Sequence, residues 1–455
     1  MTTLQIKVVG LGVSVPADLS REAQQALIDA DVVFGWQRHQ ALLSAIVSKN
    51  KFVQVDALSD LTQALTEQES QQESKQEPKQ QSQLESEKQP RQVVVVASGD
   101  PLFYGVGKWL KLNKPESASI GFYPAVSSIQ AACHQQGLSL QDVKVVSLHG
   151  RPLLSLRPWL KAKAKLVVLT DQHSNPNALA QQCAETGFTD SVLHVHENLG
   201  GANSRSRCFT VRELLEKPQL FGDLLVCVIE VQGPGWLPQA PGIADELFET
   251  GAEAGKGMIS KREVRLLILS YLQPSIGDVI WDVGAGCGGV AVELSYWNPE
   301  AEVQAVEYQP ERLAYLRHNR EKFGVVKNLT VVEGKAPAAL KNLAAPSKVF
   351  VGGSDGELAS ILYTSWQALP LGGVLVGSAV IASTKQCLAD FCQRLAAQKL
   401  ADVESVELAV KRGSIMADQN TTSALQYQAK LPVEIFKLVK RSNTDIAAAL
   451  GDFLV

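Results

Sequence analysis

The chain has 455 residues, 45% of them apolar, enough to bury the cores of roughly two or three domains. A formal charge of −4 with dispersed basic residues argues against a general binder of nucleic acid or anionic membrane, which carries a basic excess or stripe. The seven cysteines (133, 183, 208, 227, 287, 387 and 392) are odd in number and never in CxxC spacing, and no run approaches about 18 uninterrupted apolar residues; a soluble cytoplasmic protein with reduced thiols is expected.

Leu4 to Leu11 reads as an opening strand, and Ser20 to Ala30 as an amphipathic helix with Ser20 as N-cap and Glu22 in its first turn. Asp31 to Phe34 gives a second strand. From Glu67 to Arg91 the chain turns to Gln, Glu, Ser and Lys with almost no apolar side chains. Such a stretch cannot offset its ordering entropy and predicts a disordered surface insert, a charged helix being the alternative. Val93 to Val96 has the unbroken apolar run of a buried strand. It feeds Ala97-Ser98-Gly99-Asp100-Pro101-Leu102-Phe103-Tyr104-Gly105, and a later strand feeds Pro124-Ala125-Val126-Ser127-Ser128 and a helix running to Gly137. Loops of this composition after parallel strands present N–H groups and hydroxyls to a ligand, although Asp100-Pro101 also forms turns. Further strands are expected at Lys144 to Leu148, Leu166 to Leu169, Ser191 to Val195 and Leu224 to Ile229. Gly233 to Pro238 marks the exit from a first domain of residues 1–240, and 241–257 reads as a linker rich in Gly and Ala.

From Ser260 the order is helix (Lys261 to Tyr271), strand (Asp278 to Asp282), glycine loop, helix (Val290 to Trp297), strand (Glu302 to Glu307) and helix (Glu311 to Phe323). Strands follow at Leu329 to Glu333, Val349 to Val351 and Val374 to Ser378, and Asp402 to Arg412 with Leu431 to Lys440 can close the sheet as an antiparallel hairpin. This alternation over 258–455 predicts a parallel sheet covered on both faces, a Rossmann-like α/β domain. Gly284-Ala285-Gly286-Cys287-Gly288 is GxGxG, not the GxGxxG of a dinucleotide fold, and Asp282 precedes it. An acid about 20 residues on, Glu307, is placed to take the hydroxyls of a ribose. The combination favours S-adenosylmethionine over NAD.

Separate stretches then carry a family resemblance. Val8-Val9-Gly10-Leu11-Gly12, Gly99 to Gly105 and Val126-Ser127-Ser128 resemble the tetrapyrrole (corrin and porphyrin) methyltransferase fold, with two α/β subdomains. Ser147-Leu148-His149-Gly150-Arg151-Pro152, Leu169-Thr170-Asp171 and Glu197-Asn198-Leu199-Gly200-Gly201 are similar to the branch that methylates C5. Ser260-Lys261-Arg262-Glu263-Val264-Arg265, Trp281 to Gly288 and Glu333-Gly334-Lys335-Ala336-Pro337 resemble the C15-methylating, decarboxylating class I methyltransferases. In this order they resemble the fused precorrin C5,15-methyltransferases of cobalamin biosynthesis. The opening loop departs from the family's GxGPG, reading Val13-Ser14-Val15-Pro16 after Gly12.

The resemblance implies methylation of precorrin-6B, or its cobalt form, at C5 and C15 with loss of CO2 from the C12 acetate, giving precorrin-8. It implies two S-adenosylmethionine sites. Ser98, Gly99, Asp100, Leu102, Ser127 and Ser128 would line one; Gly284, Ala285, Gly286, Cys287 and Gly288 would hold the amino-acid end of the other donor, and Glu307 its ribose. Lys335 stands where many relatives place an Asp, and a lysine cannot accept from the adenine amino group, so the backbone near Ala336 is expected to serve it. Ser260 belongs to the family's Thr/Ser-Lys motif; as a plain helix N-cap it would form a capping box with Glu263. Arg151, Lys261, Arg262 and Arg265 are candidates for the substrate carboxylates. His149 sits in a family motif, His194 and His196 alternate along a strand, and no metal site is expected. Homo-oligomerisation is expected, without nucleic acid or membrane as partner. A non-catalytic regulatory protein keeping both pockets is the alternative function. A nucleic-acid methyltransferase would carry an Asp/Asn-Pro-Pro-Tyr/Phe motif where Val351-Gly352-Gly353-Ser354-Asp355-Gly356 stands.

Overall fold

The computed structural model describes residues 4–15, 17–74, 90–253, 255–417, 423–444, 446 and 450–454. Its contacts divide into two units, one reaching Leu153 and resuming over Ala162–Gly235, the other formed by Leu154–Lys161 and the chain from Trp236.

In the first unit β1 (Leu4–Gly10), α1 (Arg21–Asp29), β2 (Val32–Gly35), α2 (Gln37–Leu43), β3 (Phe52–Gln54), α3 (Leu58–Ser74), β4 (Arg91–Ala97), α4 (Gly107–Asn113) and β5 (Ser119–Tyr123) alternate along the chain. Their strands form a parallel sheet in the order β3-β2-β4-β1-β5. Val93, Val94, Val95 and Val96 are all fully buried, as a central strand covered on both faces requires. Ser20 caps α1, its Oγ accepting from Ala23 N at 3.2 Å. The expected disordered insert is corrected at its start: residues 67–74 are the last turns of α3, anchored by the buried Leu61 and Leu65 of the same helix. Residues 75–89 of that expectation lie outside the described residues.

A second sheet of this unit uses α5 (Ser128–Gln135), β6 (Lys144–Ser147), β7 (Lys165–Leu169), α6 (Pro176–Glu185), β8 (Val192–Glu197), β9 (Arg205–Thr210), α7 (Val211–Glu216) and β10 (Leu225–Glu230). Its order is β6-β7-β10-β8-β9, with β6 and β7 parallel and the other pairs antiparallel.

The second unit contains α8 (Arg262–Leu272), β11 (Val279–Val283), α9 (Gly289–Trp297), β12 (Glu302–Glu307), α10 (Pro310–Lys322), β13 (Leu329–Glu333), β14 (Lys348–Val351), α11 (Leu358–Ala368), β15 (Val374–Ala379), α12 (Ala382–Ala397), β16 (Ala401–Leu408), β17 (Lys411–Ala417), β18 (Ser423–Ala429) and β19 (Val433–Lys440). The main sheet runs β13-β12-β11-β14-β15-β19-β16, parallel as far as β15 and antiparallel beyond it. The expected closing pair is present as β16 and β19, but the strand expected over 402–412 breaks after Leu408, and Lys411 and Arg412 begin a separate hairpin, β17 with β18. Residues 241–257 are not a free linker either. Ile243, Asp245 and Phe248 are buried in the second unit, Ile243 and Phe248 in the same core as Val264, Ile268 and Leu272 of α8. Each such apolar side chain contributes about 1.5–3 kcal/mol relative to exposure.

Candidate active site

In the first unit the loops leaving β1, β4 and β5 converge. Gly12 bridges to Gly99, Gly99 N donating to Gly12 O at 3.3 Å. A Cβ on Gly10 would lie 2.5 Å from Gly99 O and 3.0 Å from Ala125 Cβ, so the approach depends on the missing side chain. Gly99 (φ +65°) abuts the backbone of Ser127 in the same way. Asp100 Oδ1 accepts from Leu102 N at 2.8 Å and Phe103 N at 3.0 Å, an Asx turn that folds the loop back on itself. Ser98 Oγ lies 2.7 Å from His39 Nε2. Burial, followed by the neighbouring Arg38 charge, brings the imidazole of His39 down to about 4, so it is neutral at neutral pH. Ser127 caps α5 in a reciprocal box with Gln130, which commits its hydroxyl to the helix, and Ser128 is the first helical residue. Exposed Leu102, Phe103, Tyr104 and Val126 surround this junction. Arg151 is exposed, donates to Ser147 O at 3.0 Å and has its guanidinium carbon 6.0 Å from the Tyr104 ring centre.

In the second unit a cleft of about 940 Å³ opens where the loops after β11, β12 and β14 meet. β11 lies between β12 and β14 in the sheet, the reversal of strand order at which parallel α/β sheets bind ligands. Gly284, Ala285, Gly286, Glu307, Ala336, Ser260 and Lys261 line the cleft together with Asp282. The buried Glu307 accepts from Gly286 N through Oε2, and from Tyr308 N and Gln309 N through Oε1, each at 2.9 Å. A carboxylate has about four acceptor sites, so Oε2 retains capacity for a ligand hydroxyl.

Asp282 is fully buried, and neither of its carboxylate oxygens has a hydrogen-bond partner. Burial drives its carboxyl up to about 7; the nearby Ala291 N–H opposes this without reaching hydrogen-bond geometry, and the Glu307 charge adds to it. A buried acceptor beneath a cleft and without a partner is a cost that a nearby cationic ligand would offset.

The glycines do something the spacing did not reveal. A Cβ on Gly284 would stand 2.3 Å from Gly353 O, on Gly286 2.9 Å from Met258 O, and on Gly288 2.3 Å from Leu316 Cδ1. Each makes room for another part of the protein. Cys287 and Gly288 do not line the cleft: the Cys287 side chain is buried, with its thiol pushed up to about 11 chiefly by burial, and Gly288 N donates to Ala285 O.

Two family models match the chain, one described as tetrapyrrole (corrin/porphyrin) methylases over residues 5–215 and one as precorrin methyltransferase domain over 252–433. A "Precorrin-6Y C(5,15)-methyltransferase [decarboxylating]" of Sinorhizobium sp is 38% identical over 394 residues, covering 86% of this chain and 88% of the relative. One from Mycobacterium tuberculosis (strain CDC 1551 / Oshkosh) with the same name is 31% identical over 396 residues, covering 86% and 91%. The chain belongs to the decarboxylating precorrin-6Y C(5,15)-methyltransferase family. Among solved structures, a precorrin-6y C5,15-methyltransferase from Geobacter metallireducens GS-15 is 33% identical, covers 44% of this chain and 98% of its own, and has a TM-score of 0.39.

Against the family expectations, Arg265 requires correction. It is wholly buried, paired with Asp245 at 2.7 Å and Glu293 at 2.8 Å, and so faces no substrate. The signal was present in the sequence, since Arg265 shares a buried helical stripe with Ile268 and Leu272. Arg262 is exposed and does not line the cleft, whereas Lys261 does. The Ser260 capping box is absent: α8 starts after Lys261, Ser260 O accepts from Arg265, and Glu263 pairs with Arg412. Lys335 Nζ lies 3.7 Å from Asp355 Oδ2, which also accepts from Tyr308 Oη at 2.7 Å. His149 Nδ1 lies 3.3 Å from Thr170 O, His194 faces Glu230 at 3.8 Å, and His196 is buried against Ser206 at 2.9 Å. No helix among the described residues is long and apolar enough to cross a membrane.

Proposed function

We propose that this chain methylates precorrin-6B, or its cobalt form, at C5 and C15 with S-adenosylmethionine as donor and releases the C12 acetate carboxyl as CO2, giving precorrin-8. The first unit carries the C5 transfer, and the second carries the C15 transfer and the decarboxylation. The observation that supports this most is the pairing of Asp282 and Glu307 in a glycine-lined cleft, on a chain related across 86% of its length to decarboxylating C5,15-methyltransferases.

The cleft fits a donor that bears positive charge and a vicinal diol. When bound, S-adenosylmethionine supplies an electrophilic methyl group: the ring carbon's electron pair forms the new C–C bond, and the C–S pair stays on sulfur. Asp282 compensates positive charge at the cleft floor, and Glu307 Oε2 takes a ribose hydroxyl. Segment Gly257–Lys261, which lines one wall, limits water around the transferring group. No protein nucleophile is needed; catalysis lies in holding methyl and acceptor carbon in line. In the first unit Ser98, Gly99, Asp100, Leu102, Ser127 and Ser128 form the second donor site, with Arg151 serving substrate carboxylates there and Lys261 serving them at the second unit. The active form is a homo-oligomer, as the family resemblance implies.

Mass spectrometry of the product made from precorrin-6B and labelled donor tests this assignment. Wild-type chain adds two methyl groups and loses CO2. Glu307→Ala lowers donor affinity of the second unit at least about a hundredfold, the scale of the charge-assisted hydrogen bonds removed, and yields singly methylated product at C5. Equal methylation of both carbons by that variant refutes the assignment. Donor binding without S-adenosylhomocysteine release by wild type favours the regulatory alternative.

A further inference from the structure

A chain of charges in the second unit, buried except at its Arg412–Glu263 end, joins a hairpin outside the main sheet to one wall of the cleft. Glu293, on the helix that follows the glycine loop, accepts from Gly242 N and Ile243 N at 2.9 Å and from Arg265 Nε at 2.8 Å. Arg265 donates onward to Ile243 O, Ser260 O and Asp245 Oδ1. Asp245 Oδ1 also accepts from Arg262 N at 3.0 Å, and its Oδ2 takes Arg412 Nη2 at 2.9 Å. Arg412 reaches Glu263 Oε2 at 2.8 Å with the same nitrogen. Burial pushes the Asp245 carboxyl up, but the Arg265 and Arg412 guanidinium groups outweigh it and hold it below the ordinary range.

What these charges fix is the segment Met258–Lys261. Met258 O accepts from Cys287 N at 3.3 Å, Ile259 packs where a Cβ on Gly289 would stand, and all four residues line the cleft. The segment thus lies against the glycine loop and is tied down at Ser260 O and Arg262 N by the Arg265–Asp245 pair. Asp245, 1% exposed, depends on both arginines: Arg265 supplies Oδ1, and Arg412, 36% exposed, supplies Oδ2. Remove Arg412 and the cluster keeps only Arg265 and the nearby charge of Lys261 against Asp245, Glu293 and Glu263. Excess negative charge there loosens the geometry around Arg265 and therefore the segment it holds.

We infer that Arg412 is a positioning residue for methyl transfer in the second unit: acting through Asp245 and Glu263, it ties the Met258–Lys261 segment across the donor cleft, so donor affinity depends on the base of the β17–β18 hairpin. Arg412 does not line the cleft itself. The inference rests on the donor site proposed above, and the experiment separates the two.

Full-length wild type, Arg412→Gln, Arg412→Lys and Glu263→Gln are compared by calorimetry with S-adenosylhomocysteine, by steady-state C15 methylation, and by hydrogen exchange of the Met258–Lys261 amides. Arg412→Gln is expected to raise the donor KM for C15 roughly tenfold, the scale of one charge-assisted hydrogen bond, with kcat and C5 methylation nearly unchanged. Amide exchange across the segment speeds up, and Arg412→Lys recovers part of the loss. Where Arg412→Gln does not fold, Glu263→Gln decides, with a smaller rise in KM and in exchange. Unchanged segment exchange and unchanged donor KM in a folded variant overturn the inference, as does a loss confined to kcat. If wild type and Glu307→Ala bind donor alike, the donor site itself is wrong, a result independent of Arg412.

Discussion

Asp282 sits where a carboxylate is most costly, sealed from water and without a hydrogen-bond partner, and its carboxyl at about 7 makes it responsive near neutral pH. A folded-state value above the unfolded 3.8 means the native unit holds a proton that the unfolded chain has lost. Its contribution to stability is therefore full below 3.8 and is lost as pH rises through about 7. Donor binding runs the other way: the ionised form attracts a cation, so affinity for S-adenosylmethionine is expected to increase as pH climbs through about 7. Asp282→Asn should flatten both profiles, measured by thermal melting of the ligand-free protein and by calorimetry across that range. A wild-type affinity independent of pH would remove Asp282 from the donor site. Glu307, by contrast, has its oxygens engaged by Gly286, Tyr308 and Gln309, so its orientation is fixed, as the proposed ribose contact requires.

At the scale of elements, the glycine loop is a joint among several segments. Gly284 (φ +72°) touches the loop after β14, whereas Gly277 (φ +81°) has open space where its Cβ would be. Alanine at either position carries the left-handed backbone penalty of about 1–2 kcal/mol. Only Gly284→Ala also displaces Gly353. Gly277→Ala should lower the melting temperature modestly and keep donor binding, and Gly284→Ala should lower it further and abolish binding at the second unit. Equal behaviour of the two variants would show that the clash is absorbed. Much of this architecture was legible in the sequence. The strand ending at Glu307 and the one over Leu329–Glu333 match their expected bounds, because in each the β-branched valines are followed by a terminal acid that ends the strand. Strand β9, with its exposed alternating Arg, Ser and Cys, and hairpin β17–β18, with little burial among its described side chains, gave no apolar signal to read. The helical stripe that Arg265 shares with Ile268 and Leu272 marked its burial, but not its partners Asp245 and Glu293, which lie 20 and 28 residues away, a separation periodicity cannot bridge.

Considered as a whole molecule, the chain does not divide where composition changes. The Gly- and Ala-rich stretch after Pro241 supplies Ile243, Asp245 and Phe248 to the second unit's core, so the working boundary lies at Gly235–Trp236. Residues 236–455, which lack only the Leu154–Lys161 segment of the second unit, should therefore bind one donor, whereas a fragment from 250 onward loses the buried Ile243, Asp245 and Phe248, leaves Arg265 short of a counter-charge and should melt several degrees lower or more, each buried group contributing about 1–3 kcal/mol. Similar melting of both fragments would mean that the contacts of residues 243–248 carry no weight. On the proposed assignment of a second donor site to the first unit, the intact chain should take up two equivalents.

The unpartnered carboxylate beneath the second cleft has one more consequence. On the proposed assignment, methyl transfer neutralises the sulfonium, so the charge that Asp282 would answer disappears at the moment of reaction. The spent cosubstrate would then lie over a carboxylate that no longer faces a sulfonium. On that assignment, uptake of a proton by Asp282 once the cleft opens would loosen the spent molecule's hold, a bias toward discharge after each turnover.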